Sequence, residues 1–423
     1  MMSRLKVLLV VASFAALAFG ESEKTFRGDK VIRVIPKTDD EVRILADLEH
    51  DPTVEVSFWK EAHAPGMAAD IHVPARYYGD VARHLDKNGL KFAIQIIDLQ
   101  SEVDNEKLTL GRSEGFFSGY KPLDKIEDEM RRLAGVQTLA QVTMNTVGST
   151  YEGRQQYYME IKGRSLPEKP VFFMNCGIHA REWITPATCM YIITQFITKY
   201  RSDKSVTEVL DKMDFIIMPV LNADGYVYTW TGNRMWRKTR KPNIQSWWGQ
   251  KTCYGTDPNR NWGYKWGLPG ASSNPCSDTF RGKTAQSEVE VDNVAKFLKG
   301  LGPRVKGYMD IHAYSQFWMI PWGYTTANAK DHKELMRVSK IGVDAIRQTY
   351  GTAYRYGSSS NIIYKNSGSS KDYTYGHLNI KYSFALELRD TGRYGFLLPP
   401  GQILPTALET FNGIIAMAKA MEI

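Results

Sequence analysis

The stretch Asn175-Cys-Gly-Ile-His179-Ala-Arg-Glu182-Trp-Ile-Thr-Pro186 offers an imidazole and a carboxylate three residues apart. A short apolar run leads into a glycine turn and a helix opens near Thr185-Pro186, so both side chains fall beyond the carboxyl end of a strand, where sheet proteins bind ligands. Such a pair suits a zinc ion, and an open catalytic site needs a third ligand with one position left for water. His312, closing the strand-like Met309-Asp-Ile-His312, is the candidate. Only four histidines lie beyond residue 112, and these two share a structural position. A His-x-x-Glu by itself is a weak signal, since charge pairing on a helix surface explains most instances.

Four further clusters carry polar groups. Asn233-Arg-Met-Trp-Arg-Lys-Thr-Arg240 is dense in guanidinium groups, and Asp257-Pro-Asn259-Arg260-Asn261-Trp262 sets an amide beside an arginine. Arginine forks suit planar carboxylates and developing oxyanions. Glu387 stands inside the apolar run Tyr382-Ser-Phe-Ala-Leu-Glu-Leu-Arg389. A charge there must be paired or functional unless the strand is a solvent-facing edge. The last cluster, Tyr364-Lys-Asn-Ser-Gly-Ser-Ser-Lys371-Asp-Tyr373, reads as a polar surface loop, and a lysine in such a loop is ordinarily a solvated charge.

These residues need a scaffold. From Pro122 on, strand patterns (142–147, 157–161, 171–175, 215–220, 307–311, 381–388) alternate with helix patterns (124–134, 185–200, 285–299, 332–350, 404–421). The interleaving predicts one α/β domain, a mixed and mostly parallel sheet with helices on both faces. Ahead of it, residues 30–35, 39–49, 54–58, 71–73, 76–88 and 91–97 follow the order β-α-β-β-α-β, a ferredoxin-like α+β unit. A charged run, 101–112, predicts a connecting helix that exposes Lys107 and Arg112 to trypsin-like proteases.

The amino terminus has the parts of a secretory signal peptide: basic Arg4 and Lys6, an apolar run from Val7 to Phe19, and the small-x-small ending Ala18-Phe19-Gly20. No later run is long enough to span a membrane. The expected product is an exported, soluble monomer in three parts: 1–20, 21–112 and 113–423. Residues 21–112 hold 13 basic against 18 acidic side chains, net −5, which leaves +11 for 113–423 in a chain of +8 overall. An acidic front segment on a basic main domain predicts electrostatic attachment of the two. Nucleic acid is not an expected partner, because no basic helix or recognition motif accompanies the charge. Export permits disulfides. Cys253 and Cys276 bracket an irregular Gly/Pro/Asn-rich segment and are expected to pair; Cys176 is expected to pair with Cys189, two buried free thiols being the alternative.

Taken together, Gly177-Ile-His-Ala-Arg-Glu-Trp-Ile184, Asn233 to Arg240, Pro258-Asn-Arg-Asn-Trp262, Ile311-His-Ala-Tyr-Ser-Gln316 and Phe384-Ala-Leu-Glu-Leu-Arg-Asp-Thr-Gly-Arg-Tyr-Gly395 resemble the zinc metallocarboxypeptidases of the A/B digestive type, over essentially the whole chain. That family is itself a standard instance of a His/His/Glu zinc site, so the metal reading and the resemblance are not independent. The resemblance implies that His179, Glu182 and His312 bind one Zn2+ and that Glu387 takes a proton from the attacking water. It implies that Arg237 stabilises the oxyanion, that Arg181 and Tyr314 assist the substrate chain, and that Asn259, Arg260 and Tyr364 grip the free C-terminal carboxylate. That grip restricts hydrolysis to the last peptide bond. Ala313 follows the metal histidine where relatives often carry serine. The front domain would be an inhibitory prodomain, released by a trypsin-like protease at Arg112, and the partners would be peptide and protein C-termini. Every catalytic position is filled, which argues against a non-catalytic peptide-binding relative.

The same resemblance sets Lys371 at the floor of the pocket for the substrate's last side chain, where relatives place an apolar residue or an aspartate. Ser359 and Ser369 would line a polar wall and Gly323 would leave room to enter. A cation there implies preference for C-terminal Glu, with Asp slower, in a digestive role. The alternative is that Lys371 reaches solvent or pairs with Asp372, leaving a carboxypeptidase A-like pocket for aromatic and aliphatic ends.

Overall fold

A computed structural model describes residues 23–51, 53–110, 115–163, 168–243 and 252–423; the expected signal peptide and the Arg112 cleavage point lie outside the described residues. The first domain runs β1 (Lys30–Val34), α1 (Asp39–His50), β2 (Ser57–Lys60), β3 (Ala69–Val73), α2 (Tyr78–Lys87) and β4 (Phe92–Ile96), in the sheet order β2-β3-β1-β4. All its strand pairs are antiparallel, the ferredoxin-like arrangement. Thr38 caps α1 by accepting the Glu41 N–H, and Asp39, Asp40 and Glu41 place negative charge at the positive end of the helix. Helix α3 (Leu99–Leu110) then connects the two domains.

The second domain continues with α4 (Leu123–Gly135), β5 (Gln141–Ser149), β6 (Gln155–Lys162), β7 (Val171–Cys176), α5 (Ile184–Lys199), α6 (Lys204–Lys212), β8 (Asp214–Met218), α7 (Ala223–Thr231), α8 (Val289–Leu301) and β9 (Val305–Ala313). It ends with β10 (Phe317–Ile320), α9 (His332–Tyr350), β11 (Arg355–Ser358), α10 (Ser359–Ile362), α11 (Ser370–Gly376), β12 (Tyr382–Leu388) and α12 (Ile403–Ala420). The sheet order is β11-β10-β12-β9-β7-β8-β6-β5. The pairs β8–β7, β7–β9, β9–β12 and β10–β11 are parallel and the other three antiparallel. Strand alternation explains why both faces are covered. Phe172 and Met174 of β7 join the core shared with Phe196 of α5 and Phe411 of α12, whereas Val171 and Phe173 face Val291 and Leu298 of α8.

Two details of the sequence reading are corrected. The segment 364–373 is not a surface loop: residues 366–375 are all buried, and α11 begins at Ser370. Its polar side chains find partners inside, Ser370 Oγ on Asp310 and Asp372 on backbone N–H groups, so composition alone misread a satisfied interior segment as a solvated one. The sheet also contains β10 and β11, four residues each, which were not anticipated; β10 sets β12 inside the sheet, so Glu387 does not sit on an edge. Both disulfides are formed, Cys176–Cys189 and Cys253–Cys276.

Strand β9 reaches β7 closely because Gly307 lies under an aromatic ring: a Cβ at 307 would stand 2.1 Å from Cδ2 of Phe172. Gly307→Ala should therefore lower stability by about 1–3 kcal/mol, read as a lower urea midpoint. An unchanged midpoint would mean that Phe172 moves aside at no cost.

Candidate active site

Three side chains meet at the carboxyl ends of β7 and β9. After β7 the chain turns at Gly177, whose φ of +63° suits glycine, and the Thr185 hydroxyl pins the turn by accepting the Gly177 N–H and donating to Glu182 O. This presents His179 and Glu182 inward, and β9 delivers His312. Nδ1 of His179 is 2.8 Å from Oε1 of Glu182 and 3.2 Å from Nδ1 of His312, which is 3.4 Å from Oε2 of Glu182. All three residues are buried. Tetrahedral zinc with bonds of about 2.0–2.1 Å has ligand atoms roughly 3.3 Å apart, so the donor set and its spacing fit that ion.

The electrostatics point the same way. Two imidazole nitrogens and a carboxylate facing one small space repel unless a proton or metal ion stands among them. Burial works to lower the His312 pKa, yet Asp310 and Glu182 raise it well above its ordinary value. Burial works to raise the Glu182 pKa, yet His179 and His312 hold it below the usual carboxylate range. The far nitrogens are held as well: His179 Nε2 lies 3.0 Å from Asp257 and His312 Nε2 2.9 Å from Asp310. Such outer carboxylates fix the ring orientation and strengthen the inner donor.

Glu387 lies beside the metal site because β12 pairs with β9 in register, Glu387 opposite His312. Burial pushes its carboxyl up to about 8, with His312 opposing and Glu182 adding to the rise. Arg237 donates to Asp257 Oδ2 at 2.7 Å. Arg260 donates to the Tyr364 hydroxyl at 2.9 Å. Burial raises that phenol to about 12, which keeps it protonated. Asn259 Oδ1 accepts the Ser370 N–H at 2.9 Å, and its Nδ2 lies 3.1 Å from His312 Nε2. Arg181 meets Asp278 and lies over the Phe396 ring, and the Tyr314 hydroxyl donates to Asp70 of the first domain at 2.8 Å.

One cavity gathers these groups: His179, Arg181, Glu182, Arg237, Asn259, Arg260, His312, Tyr314, Ser359, Tyr364, Ser369, Lys371 and Glu387 all line it. Gly323 does not. Its N–H is taken by Asp372, and a Cβ there would strike Asn366, which occupies the wall instead. Lys371 does not reach solvent, being 2% exposed, and its ammonium donates to Asp372 at 2.7 Å. The pairing named in the alternative reading is thus present, with the lysine still at the cavity wall. Sequence reasoning missed Asp257, which joins His179 to Arg237, although it heads a segment singled out for its other residues. It also missed Asp310, detectable as the residue two before His312 on one face of β9, and Asn366. Glu49, Trp59, Lys60 and Glu61 of the first domain enter the same cavity, and no sequence pattern pointed to them.

Comparison with known proteins agrees on both halves of the chain. Residues 129–413 match the zinc carboxypeptidase family and residues 32–106 match the carboxypeptidase activation peptide. Carboxypeptidase A2 of Mus musculus is 39% identical over 97% of each chain, and carboxypeptidase B of Homo sapiens 38% identical over 96% of each. The solved structure of carboxypeptidase A from Helicoverpa armigera superposes with a TM-score of 0.84 at 27% identity, covering 93% of this chain and 98% of that one.

Asp257 is the hinge of this arrangement, holding His179 with one oxygen and Arg237 with the other. Asp257→Asn should weaken zinc binding about 10- to 100-fold, measured by competition with a chelator; unchanged affinity would reduce the contact to a bystander.

Proposed function

Because the chain belongs to the zinc carboxypeptidase family and carries the family's activation peptide, we propose that it is a secreted digestive zymogen whose mature form removes C-terminal glutamate, and aspartate more slowly. The observation behind the specificity is Lys371. Its ammonium is buried at the cavity wall, donates one hydrogen bond to Asp372, and has two donors without an acceptor among the described residues. An apolar side chain would leave those donors unpaired, at a cost of about 1–3 kcal/mol, while a substrate carboxylate would satisfy them. Ser359, Ser369 and Asn366 extend the polar wall. Secretion rests on the amino-terminal pattern of residues 1–20; among the described residues, no helix is long and apolar enough to cross a membrane.

In this reading His179, Glu182 and His312 hold zinc. When bound, zinc polarises the scissile carbonyl and acidifies a water to near neutral pKa. Glu387 accepts the proton of the attacking water and returns it to the leaving amine. Burial raises the Glu387 carboxyl, and the metal that His179, Glu182 and His312 would hold would favour its carboxylate form as a base. Arg237 leaves Asp257 in part to meet the developing oxyanion. Arg260 and Tyr364 bind the terminal carboxylate as charge-assisted donors, with Asn259 beside them.

In the intact chain the prodomain occupies this space. Glu49 and Glu61 line the same cavity as Arg237 and Arg260, and the His63 ring lies against Tyr364, tilted by 36° with ring centres 4.2 Å apart. Cutting near Arg112 would permit the prodomain to leave.

Two sets of measurements check this. Glu387→Gln should keep zinc and lose most turnover, whereas His179→Ala should lose zinc as well; equal zinc loss in both would contradict the separate roles. Trypsin treatment should raise activity on peptides ending in Glu above that of the intact chain, and Lys371→Ile should cut Glu-ended cleavage relative to Phe-ended by a few kcal/mol of discrimination, at least about 30-fold. Faster cleavage of Phe ends than Glu ends by the trypsin-treated wild type would refute the acidic specificity.

A further inference from the structure

The cation at the pocket is not a bare charge. Asp372 is buried, accepts the Gly323 N–H at 2.8 and 3.0 Å through its two oxygens and the Tyr324 N–H at 3.1 Å, and takes the Lys371 ammonium at 2.7 Å. Lys371 lines the cavity and Asp372 does not, so the carboxylate stands behind the ammonium as seen by a substrate. We propose that Asp372 tempers Lys371, so that the pocket selects side chains by hydrogen-bond acceptor rather than by charge and removes C-terminal glutamine alongside glutamate. The inference rests on the reading of Lys371 as the floor of this pocket.

The physics separates two contributions that a lone lysine would combine. A glutamate carboxylate and a glutamine carbonyl each accept a hydrogen bond from the free N–H groups of Lys371. Only the carboxylate gains from net positive charge, and Asp372 cancels most of that field while repelling a second carboxylate that shares its cation. Backbone N–H groups hold Asp372 in place, so it cannot yield its position to the substrate. A glutamine amide has a further donor, and Ser369 offers an acceptor: its hydroxyl is buried at the wall with no partner among the described residues. Apolar ends remain disfavoured, because a site built to hydrogen-bond rejects a side chain that lacks the group far more strongly than it separates two groups that both possess it.

The test uses the mature, zinc-loaded enzyme and peptides differing only in their last residue, Glu, Gln or Phe, with kcat/KM as readout. In the wild type Glu and Gln ends should be cut within about tenfold of one another, both faster than Phe. Asp372→Asn removes the tempering charge and should widen the Glu-over-Gln ratio by about tenfold or more. Zinc content and the far-ultraviolet spectrum report whether that variant is folded; where it is not, the wild-type ratio alone decides. A wild-type Glu-over-Gln ratio above about tenfold, or a folded Asp372→Asn enzyme with an unchanged ratio, overturns the proposal and leaves the glutamate reading standing. Phe ends cut faster than Glu ends would instead remove the glutamate reading itself.

Discussion

The carboxylates and imidazole lone pairs buried at one edge of the sheet set the terms for everything around them. Glu182, Asp257 and Asp310 are buried there with His179 and His312, and Glu387 lies beside them. An ion taken out of water costs several kcal/mol even after relaxation, so such a cluster persists only where positive charge and donors are supplied at close range. Arg237 and Arg260 supply part, and the metal the donor set fits supplies the rest. Strand geometry does the assembling: β7, β9 and β12 are parallel neighbours, so their carboxyl ends coincide, and register puts Asn175 opposite Asp310 and Glu387 opposite His312.

The prodomain answers the same constraint from outside. Its Glu49 lies within electrostatic reach of Arg260 and Arg237 and lines the cavity with them, and its attachments lie around the cleft rather than on a distant face. Arg33 pairs with Asp70 and donates to Thr391 O, Asp70 holds the Tyr314 hydroxyl, Ser57 donates to Asp278, and Glu106 of α3 pairs with buried Arg234. A cut near Arg112 would sever the chain just beyond α3 and leave all of these contacts intact. Release is then a dissociation rather than a consequence of the cut itself, and depends on dilution or on further digestion of the freed domain.

Both domain architectures were legible in the sequence for local reasons, and the metal ligands were legible through motifs that resemble the family's. Val171 to Met174 is apolar throughout because β7 is covered on both faces, and His332 to Tyr350 follows the helical period along a single covered face. The unread parts are those whose meaning is tertiary. β10 and β11 are too short to show a period, and β11, Arg355–Ser358, includes a glycine. Asp257 and Asp372 look like solvated acids in polar stretches until the fold buries them among N–H groups and cations. The same holds for residues 366–373, whose Ser and Gly content signals exposure while the fold supplies internal partners.

Lys371 and Asp372 show how tightly local and functional demands are joined. Neighbouring residues in a helix do not ordinarily face each other, and a cation in a first turn is unfavourable beside the exposed N–H groups there. Lys371 nonetheless lies in the first turn of α11, buried, with its ammonium on the adjacent side chain. Asp372 offsets both penalties, since it neutralises the buried charge and presents an anion to the start of the helix. Asp372 in turn pins the backbone of Gly323 and Tyr324, which carry the turn after β10. A lysine at this wall therefore requires its neighbour for burial, and the neighbour that permits the burial also sets how much of the charge a substrate can feel.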